Sequence, residues 1–261
     1  ASADIIEHVI DNIRFSETDG KGDTLAHYVV KWGRNRSLNY LISKGADLSL
    51  VNPDTKKALI HYVVDEKSRI FKKKNLFTLV ENGADIEASD ITGAKLIHLV
   101  CIYGDIETLD YLIGKGIDLS VSLGPTLAHV TTPSSVLPIE YVCSCGTFEM
   151  FKYMVEKAYT DSVLGRILNI ICDKNKYKHL KYLDNRVQIY SKKNMLNIER
   201  LSDIAFRKGS LDLIKYLIGI DIISIKYFNL ESIKENLRLG PGEQTYLAKY
   251  NRSFIKKLIN L

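Results

Sequence analysis

The chain has 261 residues, of which 46% are hydrophobic and 26% are charged, and its formal net charge is +5 at pH 7. This composition is that of a folded globular protein and excludes a disordered chain. No apolar run reaches the roughly 18 residues that cross a bilayer, so no membrane insertion is expected, and the acidic start "ASADIIEHVIDN" is unlike a secretory signal. Four cysteines are too few for a disulfide framework, and we therefore expect a cytoplasmic, reducing location.

The first predicted element is a helix over residues 3–13, which we expect to form an N-terminal cap within residues 1–18. A unit of about 34 residues then recurs, as it does in stacked-repeat proteins. If Gly33 marks the first unit, the corresponding positions are Lys67, Gly104, Gly146, Asn175, Gly209 and Asn251.

Each unit is predicted to be a helix, a tight turn and a second helix. An apolar segment precedes the marker, as at Leu25, Ala26, Val29 and Val30 or at Leu96, Ile97, Val100 and Cys101. A stripe with i, i+3, i+4 spacing follows the marker and predicts the second helix. The stripe residues are Leu38, Leu41 and Ile42; Ile106, Leu109, Leu112 and Ile113; Phe148, Phe151, Met154 and Val155; and Leu213, Ile214, Leu217 and Ile218.

Glycines mark the predicted helix ends. A glycine accepts the left-handed conformation that ends many helices, and a following side-chain oxygen can cap the next helix. The first helices are expected to end at left-handed Gly104, Gly146 and Gly209, and the second helices to be capped by Asp105, Thr147 and Ser210. The second helices are expected to end at Gly45, Gly83 and Gly116.

One ten-residue segment recurs with a similar pattern of residue types. "TLAHYVVKWG" (24–33) returns as "ALIHYVVDEK" (58–67), "KLIHLVCIYG" (95–104) and "LPIEYVCSCG" (137–146), and "KGADLS" (44–49) returns as "NGADIE" (82–87) and "KGIDLS" (115–120). The segments resemble the ankyrin repeat, whose signature is T-P-L-H-x-A-A-x-x-G followed by G-A-D. The motif proline occurs only as Pro138, and apparent insertions lie at 124–136 and about 222–242.

The resemblance implies an all-α, ankyrin-type solenoid of stacked helix-turn-helix repeats. Residues 1–261 are expected to form a single domain of about six repeats. Residues 19–157 carry clear repeats, whereas residues 158–261 carry divergent repeats and a C-terminal cap.

The recurring histidines, His27, His61 and His98, allow a metal, a catalytic or a structural role. Equivalent residues of stacked repeats lie about 8–10 Å apart, whereas zinc holds its ligand nitrogens at about 2.0–2.1 Å. The three histidines therefore cannot share one metal ion. The ankyrin resemblance implies instead that each one hydrogen-bonds to the motif threonine and the backbone of its turn. No metal and no cofactor are predicted.

The cysteines are predicted to be free thiols. Cys101, Cys143 and Cys172 fall on one buried column of the repeats, too far apart for a disulfide, whereas Cys145 is expected to face the groove. The sequence contains no nucleotide-binding, nucleophile-elbow or zinc-protease motif. We therefore predict no enzymatic activity and no small-molecule substrate.

The ankyrin resemblance implies a scaffold that binds a partner protein through a concave groove, which turn tips and the exposed ends of the first helices line. Trp32 and Tyr103 are predicted as hot spots, with Asp65 and Glu66 as an acidic centre between them suited to a basic or amphipathic segment; the alternative is that the aromatic side chains pack on an insertion or cap. The predicted binding residues are Lys31, Trp32, Asp54, Thr55, Lys57, Asp65, Glu66, Ile102, Tyr103, Ser144, Cys145, Arg207 and Lys208, and further tip positions are Gly20, Lys21, Asp23, Ile91, Thr92 and Ala94.

Two alternative functions stay open at this point. Basic runs such as "RIFKKKNLF" (69–77), "YKHLKYLDNR" (177–186) and "SKKN" (191–194) could follow a nucleic-acid backbone, or they could be solvated helix faces. The abundance of Lys, Asn, Ile and Tyr is also similar to that of ankyrin proteins from protists, large DNA viruses and intracellular bacteria, which adds a host-directed effector as an alternative.

Overall fold

The computed structural model describes residues 8, 14–65, 70–122, 136–208 and 211–223. The predicted N-terminal helix, apart from His8, lies outside the described residues. So do almost all of both insertions, Gly209, Ser210 and the marker Asn251.

The chain divides into two compact units, Ala1–Tyr153 and Met154–Leu261. The predicted single domain and its internal boundaries stay a prediction. In the first unit α1 (Leu25–Lys31) packs on α2 (Asn35–Ser43), and a 3₁₀ helix (Leu59–Val63) packs on α3 (Lys73–Glu81). The next pair is α4 (Leu96–Tyr103), which packs on α5 (Ile106–Gly114). The last pair is α6 (Pro138–Cys145) and α7 (Phe148–Ala158), and the boundary between the two units lies within α7.

The second unit repeats the same helical pairs. A short 3₁₀ helix (Asp161–Val163) leads into α8 (Leu164–Asp173), which packs on α9 (Tyr177–Val187), and a 3₁₀ helix (Ile189–Met195) then leads to α10 (Ile198–Lys208) and α11 (Leu211–Gly219). The first helix of one pair, α8, packs on the first helix of the next, α10. The fold class is therefore all-α and of ankyrin type, as predicted.

The second repeat departs from the predicted helix, turn and helix. Its first helix is a 3₁₀ helix of five residues, and the chain then forms an antiparallel pair of short strands, β1 (Val64–Asp65) and β2 (Ile70–Phe71). Residues 64–72 separate the two helices of this repeat, whereas Gly104 and Asp105 alone separate α4 from α5. The described part of this extra length pairs as two short strands rather than as a further helical turn.

The predicted apolar stripes form the core. Each second helix buries apolar side chains three residues apart, because these positions lie on one helix face; examples are Leu38 and Leu41 in α2 and Leu109 and Leu112 in α5. Ile106 was expected in the stripe but is 37% exposed; it is the first residue of α5.

The glycines that end the second helices behave as predicted, since φ is +81° at Gly45, +85° at Gly83 and +86° at Gly116. The prediction for Gly104 and Gly146 was wrong: φ is −83° at Gly104 and −77° at Gly146. Left-handed residues occur instead where three residues connect the helices, at Gly33 (φ +70°) and Asn175 (φ +51°). In a two-residue connection the glycine is followed directly by the N-cap of the next helix, so there is no additional residue that could be left-handed.

The predicted N-caps of the later second helices are confirmed where they are described. The Asp105 carboxylate accepts a hydrogen bond of 2.7 Å from the backbone N–H of Thr108. The Thr147 hydroxyl accepts one of 3.2 Å from the backbone N–H of Met150. Each side chain satisfies a donor that a helix start leaves without an intrahelical partner.

The histidines have the predicted local role. Nδ1 accepts a hydrogen bond from the backbone N–H three residues earlier, at 3.0 Å from Thr24 to His27, 3.1 Å from Ala58 to His61 and 3.2 Å from Lys95 to His98. In the fourth repeat a carboxylate performs the same function, because Glu140 accepts from the N–H of Leu137 at 2.8 Å. The recurring side chain is therefore an acceptor that fixes the start of each first helix.

The ring of His61 also joins two repeats. Its Nε2 donates to the Ala94 carbonyl at 3.1 Å, so the neutral ring accepts at Nδ1 and donates at Nε2. Burial lowers the pKa of His61, and it lowers the pKa of His98 to about 4. Protonation of Nδ1 would make it a donor, and it would then face the backbone N–H that now donates to it.

Replacing Gly104 by alanine is expected to destabilise the protein by about 1–3 kcal/mol. A Cβ there would lie 2.7 Å from the Val100 carbonyl oxygen, which already accepts the bond that ends α4. Gly114→Ala is the matched control, because nothing lies within 4 Å of its added Cβ and alanine favours a helix by up to about 1 kcal/mol. Urea unfolding of both variants measures the difference, and equal stability would contradict the close approach.

His98→Ala is expected to cost about 1–3 kcal/mol at neutral pH, because it leaves the Lys95 N–H without its acceptor. The folded pKa of His98, about 4, lies below its ordinary value of 6.5, so the unfolded chain binds more protons between these values. The stability that neutral His98 contributes is therefore complete above pH 6.5 and is lost as the pH falls towards 4. Urea unfolding at about pH 7.5 and about pH 5 should show a difference between wild type and variant that shrinks in acid. A difference independent of pH would contradict the titration of His98.

Candidate interaction surfaces

The predicted binding residues of the first unit separate into two surfaces at opposite ends of the first helices. The turn tips precede the helix N-termini, whereas Lys31 and Trp32 lie at the C-terminal end of α1. The seven residues of α1 span about 10 Å at a rise of about 1.5 Å per residue. We call the turns at residues 20–23, 54–57 and 91–94 the tip surface, and the concavity beside Trp32 the Trp32 cleft.

One polar side chain organises each tip turn. Asp19 Oδ1 accepts from the backbone N–H groups of Lys21 and Asp23, both at 2.9 Å, and Asp90 Oδ1 accepts from those of Thr92 and Ala94 at 2.8 and 3.0 Å. Asn52 Oδ1 has the same role and accepts from Asp54 and Thr55, both at 3.0 Å. Short polar acceptors favour such turns because they satisfy backbone donors within a few residues.

Hydrogen bonds also join neighbouring tips. Asn52 Nδ2 donates to the Lys21 carbonyl at 2.8 Å and to the Asp23 carboxylate at 2.7 Å, and the Tyr62 hydroxyl donates to the same carboxylate. In the next step along the stack, the Ile91 N–H donates to the Thr55 carbonyl at 2.8 Å. The three tips are thus held at a fixed spacing.

The tip residues divide by exposure. Asp54 is exposed, Thr55 and Lys57 are half-buried, and Ile91 is 67% exposed. Asp23 and Ala94, expected at the surface, are buried. Asp23 is buried because its carboxylate joins two repeats through Asn52 and Tyr62, so it supports the tip surface from below.

The Trp32 cleft has a volume of about 950 Å³ and opens beside the only tryptophan of the chain. Trp32 is 59% exposed and lies against Tyr28, with ring centroids 5.1 Å apart. The residues that line the cleft are Lys31, Trp32, Gly33, Arg34, Ile70, Phe71, Lys72, Lys73, Lys74 and Asn75.

The first two repeats build the cleft together. Buried Asn75 donates from its amide to the Val30 carbonyl at 3.1 Å, which satisfies the end of α1. Left-handed Gly33 lies beside the aliphatic part of the Lys72 side chain, since a Cβ built on it would be 3.4 Å from Lys72 Cγ, an ordinary contact distance. The strand β2 of the irregular second repeat supplies Ile70 and Phe71.

The predicted acidic centre between Trp32 and Tyr103 stays a prediction. Asp65 lies in β1, where it pairs with Ile70, and Glu66 lies outside the described residues. Five of the described lining residues are basic and none is acidic.

The remaining predicted residues differ in exposure and in their contacts. Ile102 is half-buried against Ala94, Val136 and Tyr141, and Tyr103 is half-buried as well. Ser144 is half-buried and Cys145 is exposed. In the second unit Arg207 and Lys208 are exposed but form ion pairs with Asp203 and Asp173 respectively.

Basic runs of the second unit are also paired with carboxylates. Arg186 binds Glu156 through two hydrogen bonds of 2.7 Å and lowers the pKa of that carboxyl to about 2. Lys192 Nζ lies 2.5 Å from Asp161 Oδ1, and Lys193 Nζ lies 2.8 Å from Asp221 Oδ2. These charges belong to helix faces whose own carboxylates compensate them.

The cysteines lie as predicted. Cys101, Cys143 and Cys172 are buried free thiols, and Cys145 is exposed. Burial raises the pKa of Cys101 and of Cys172 to about 12, so neither is a reactive thiolate at neutral pH. The described residues contain no group of three His, Cys, Asp or Glu side chains that could hold a metal ion. They also contain no helix that is long and apolar enough to cross a membrane.

Several contributors to the two surfaces were missing from the sequence prediction. Asn52 carried a signal, because Asn-Pro marks a turn. The i, i+4 spacing of Tyr28 and Trp32 also indicated that the two rings are neighbours on a helix. Arg34 carried no signal. Ile70 and Lys72 lie in the basic run 69–77, but the sequence did not show that the ribbon of the second repeat brings them beside Trp32.

No protein-family profile and no curated protein sequence matches the chain. The structure does match that of the human ASB11 ankyrin repeat domain, with a TM-score of 0.55 and 17% sequence identity, over 80% of this chain and 89% of that one. The helix pairs, the capped first helices and this match agree. The protein therefore has the ankyrin-repeat fold.

Proposed function

We propose that the protein is a protein-interaction module whose tip surface binds a partner protein. The observation that carries the proposal is Ile91, a large apolar side chain that is 67% exposed on a turn whose backbone is bonded to the neighbouring tip. An exposed apolar residue on a preorganised backbone suits a binding hot spot, because little conformational entropy is lost on association.

The chemistry of the tip surface also supports a protein partner. Asp54 and Lys57 place opposite charges beside the apolar Ile91, and this mixture is typical of interfaces with an apolar centre and a polar rim. A scaffold without enzymatic activity and without a cofactor, in the cytoplasm, is part of the same proposal, and a host-directed effector would bind its target through this surface.

Ile91→Asp is expected to weaken binding to the partner about 30-fold or more, because it removes an apolar anchor and buries a charge at the interface. The partner would be captured with the tagged wild-type protein, identified by mass spectrometry, produced pure and titrated by calorimetry. Ile106→Asp is the matched control: it makes the same change at an exposed residue at the start of α5 and should leave the affinity unchanged.

Equal affinity of wild type and Ile91→Asp would overturn the tip surface as the binding site. Equal loss in both isoleucine variants would do the same, since the effect would then not be local. Circular dichroism of both variants shows whether each is folded before titration.

A further inference from the structure

Among the residues that the structure describes, the lining of the Trp32 cleft carries more positive than negative charge. Lys73 is held by Asp105 at 3.0 Å and by Glu107 at 2.6 Å. The other four basic lining residues form no ion pair with a described carboxylate; they are Lys31, Arg34, Lys72 and Lys74.

Two helices begin at the same cleft with basic rather than acidic residues. Arg34 is the N-cap of α2 and Lys72 that of α3; neither caps its helix through a side chain, and neither helix has an acidic residue in its first turn. The positive end of a helix dipole favours a nearby negative charge by about 0.3–1 kcal/mol and disfavours a positive one. The later helix α5, with Asp105 as its cap and Glu107 in its first turn, shows the usual arrangement. The positive electrostatic potential at the N-terminal ends of α2 and α3 therefore adds to that of the four basic side chains.

Apolar surface adjoins this charge. Trp32 is 59% exposed and Ile70 is 54% exposed, and Phe71 is half-buried beside them. Tyr28 covers one side of the indole. An exposed tryptophan next to a second exposed apolar side chain is a surface that a partner's apolar residue would cover.

We propose that the Trp32 cleft binds an acidic segment of a partner protein. Carboxylates of the segment contact Lys31, Arg34, Lys72 and Lys74, and one aromatic or large aliphatic side chain packs on Trp32 and Ile70. Charge complementarity selects the segment and speeds its association, whereas the apolar contact holds it. The inference rests on the proposed function, because the segment belongs to a partner protein, but it concerns a different surface from the tips.

The observations favour a protein segment over a nucleic acid. A nucleic-acid backbone is bound by a track of cations and, for a single strand, by a series of aromatic rings. The described residues of the cleft offer one exposed aromatic ring, and several basic side chains of the second unit, among them Arg186, Lys192 and Lys193, pair with carboxylates. One cluster of cations around one aromatic ring matches a short acidic segment.

The single tryptophan makes a direct test possible, because all tryptophan fluorescence reports on the cleft. The probes are three synthetic peptides: one of glutamates with a central phenylalanine, one of glutamates with a central serine, and one of lysines with a central phenylalanine. The first peptide is expected to change Trp32 emission saturably, to bind at least about tenfold more tightly than either of the others, and to weaken as salt is added.

Variants locate the binding. Lys31→Glu and Lys72→Glu are each expected to weaken the acidic peptide about tenfold. Lys115→Glu is the matched control and should bind normally, because Lys115 also lies over a tyrosine ring at a helix end, 5.4 Å from Tyr111 compared with 5.6 Å from Lys31 to Tyr28. Equal weakening by all three variants would overturn the proposal, since net charge alone would then explain the effect.

Other outcomes would overturn the proposal for the cleft. If no peptide changes the emission, or if the lysine peptide binds best, the cleft does not take an acidic segment. Tighter binding of single-stranded oligothymidylate than of the acidic peptide would overturn the proposal in favour of a nucleic acid. The partner captured for the tip surface separates the two proposals: Lys31→Glu and Lys72→Glu should weaken its binding at least about tenfold, whereas unchanged binding, together with a loss on Ile91→Asp, would refute the cleft and retain the tips.

Discussion

A hydrogen bond from a backbone N–H to a side chain three residues later starts each first helix of the first unit, and the tip surface depends on it. The acceptor is Nδ1 of His27, His61 or His98, or the carboxylate of Glu140. Without this acceptor a buried N–H would be left unsatisfied where the tip turn meets the helix, at a cost of about 1–3 kcal/mol. Histidine adds a second function, because its other nitrogen can reach the next repeat, as in the bond from His61 to Ala94.

The tips follow from the same junction. Asp19, Asn52 and Asp90 close the turns that precede the capped helices, and Asn52 and Tyr62 carry the connection from one repeat to the next through Asp23. A buried carboxylate is costly unless it is hydrogen-bonded, and here two donors from the following repeat meet it. The hydrogen bonds that buried Asp23 requires therefore also fix the position of the exposed tip surface.

The Trp32 cleft has a different origin, because it arises where the repeat is broken. The second repeat inserts a ribbon between its helices, and this ribbon forms a wall opposite the end of α1. Regular repeats present similar surfaces at each step, whereas an insertion makes one step unique. The position of a single exposed tryptophan at this step is consistent with specific recognition at one place on the stack.

How far the sequence predicts the structure depends on the range of the interactions. The helix pairs, the histidine caps, the left-handed Gly45, Gly83 and Gly116 and the buried cysteine column follow from contacts within a few residues or from the repeat period, and the sequence alone was sufficient for them. The sequence alone was not sufficient to predict the backbone conformation of Gly104 and Gly146, since the length of the connection between two helices depends on where the following helix packs.

The surfaces depended most on tertiary structure. Burial of Asp23 and Ala94 requires the next repeat, and the basic character of the Trp32 cleft requires β2 and the start of α3, about 40 residues after Trp32 in the chain. Local propensity carries no information about such neighbours, because they meet only when stacking buries the apolar faces that each repeat leaves exposed on its own.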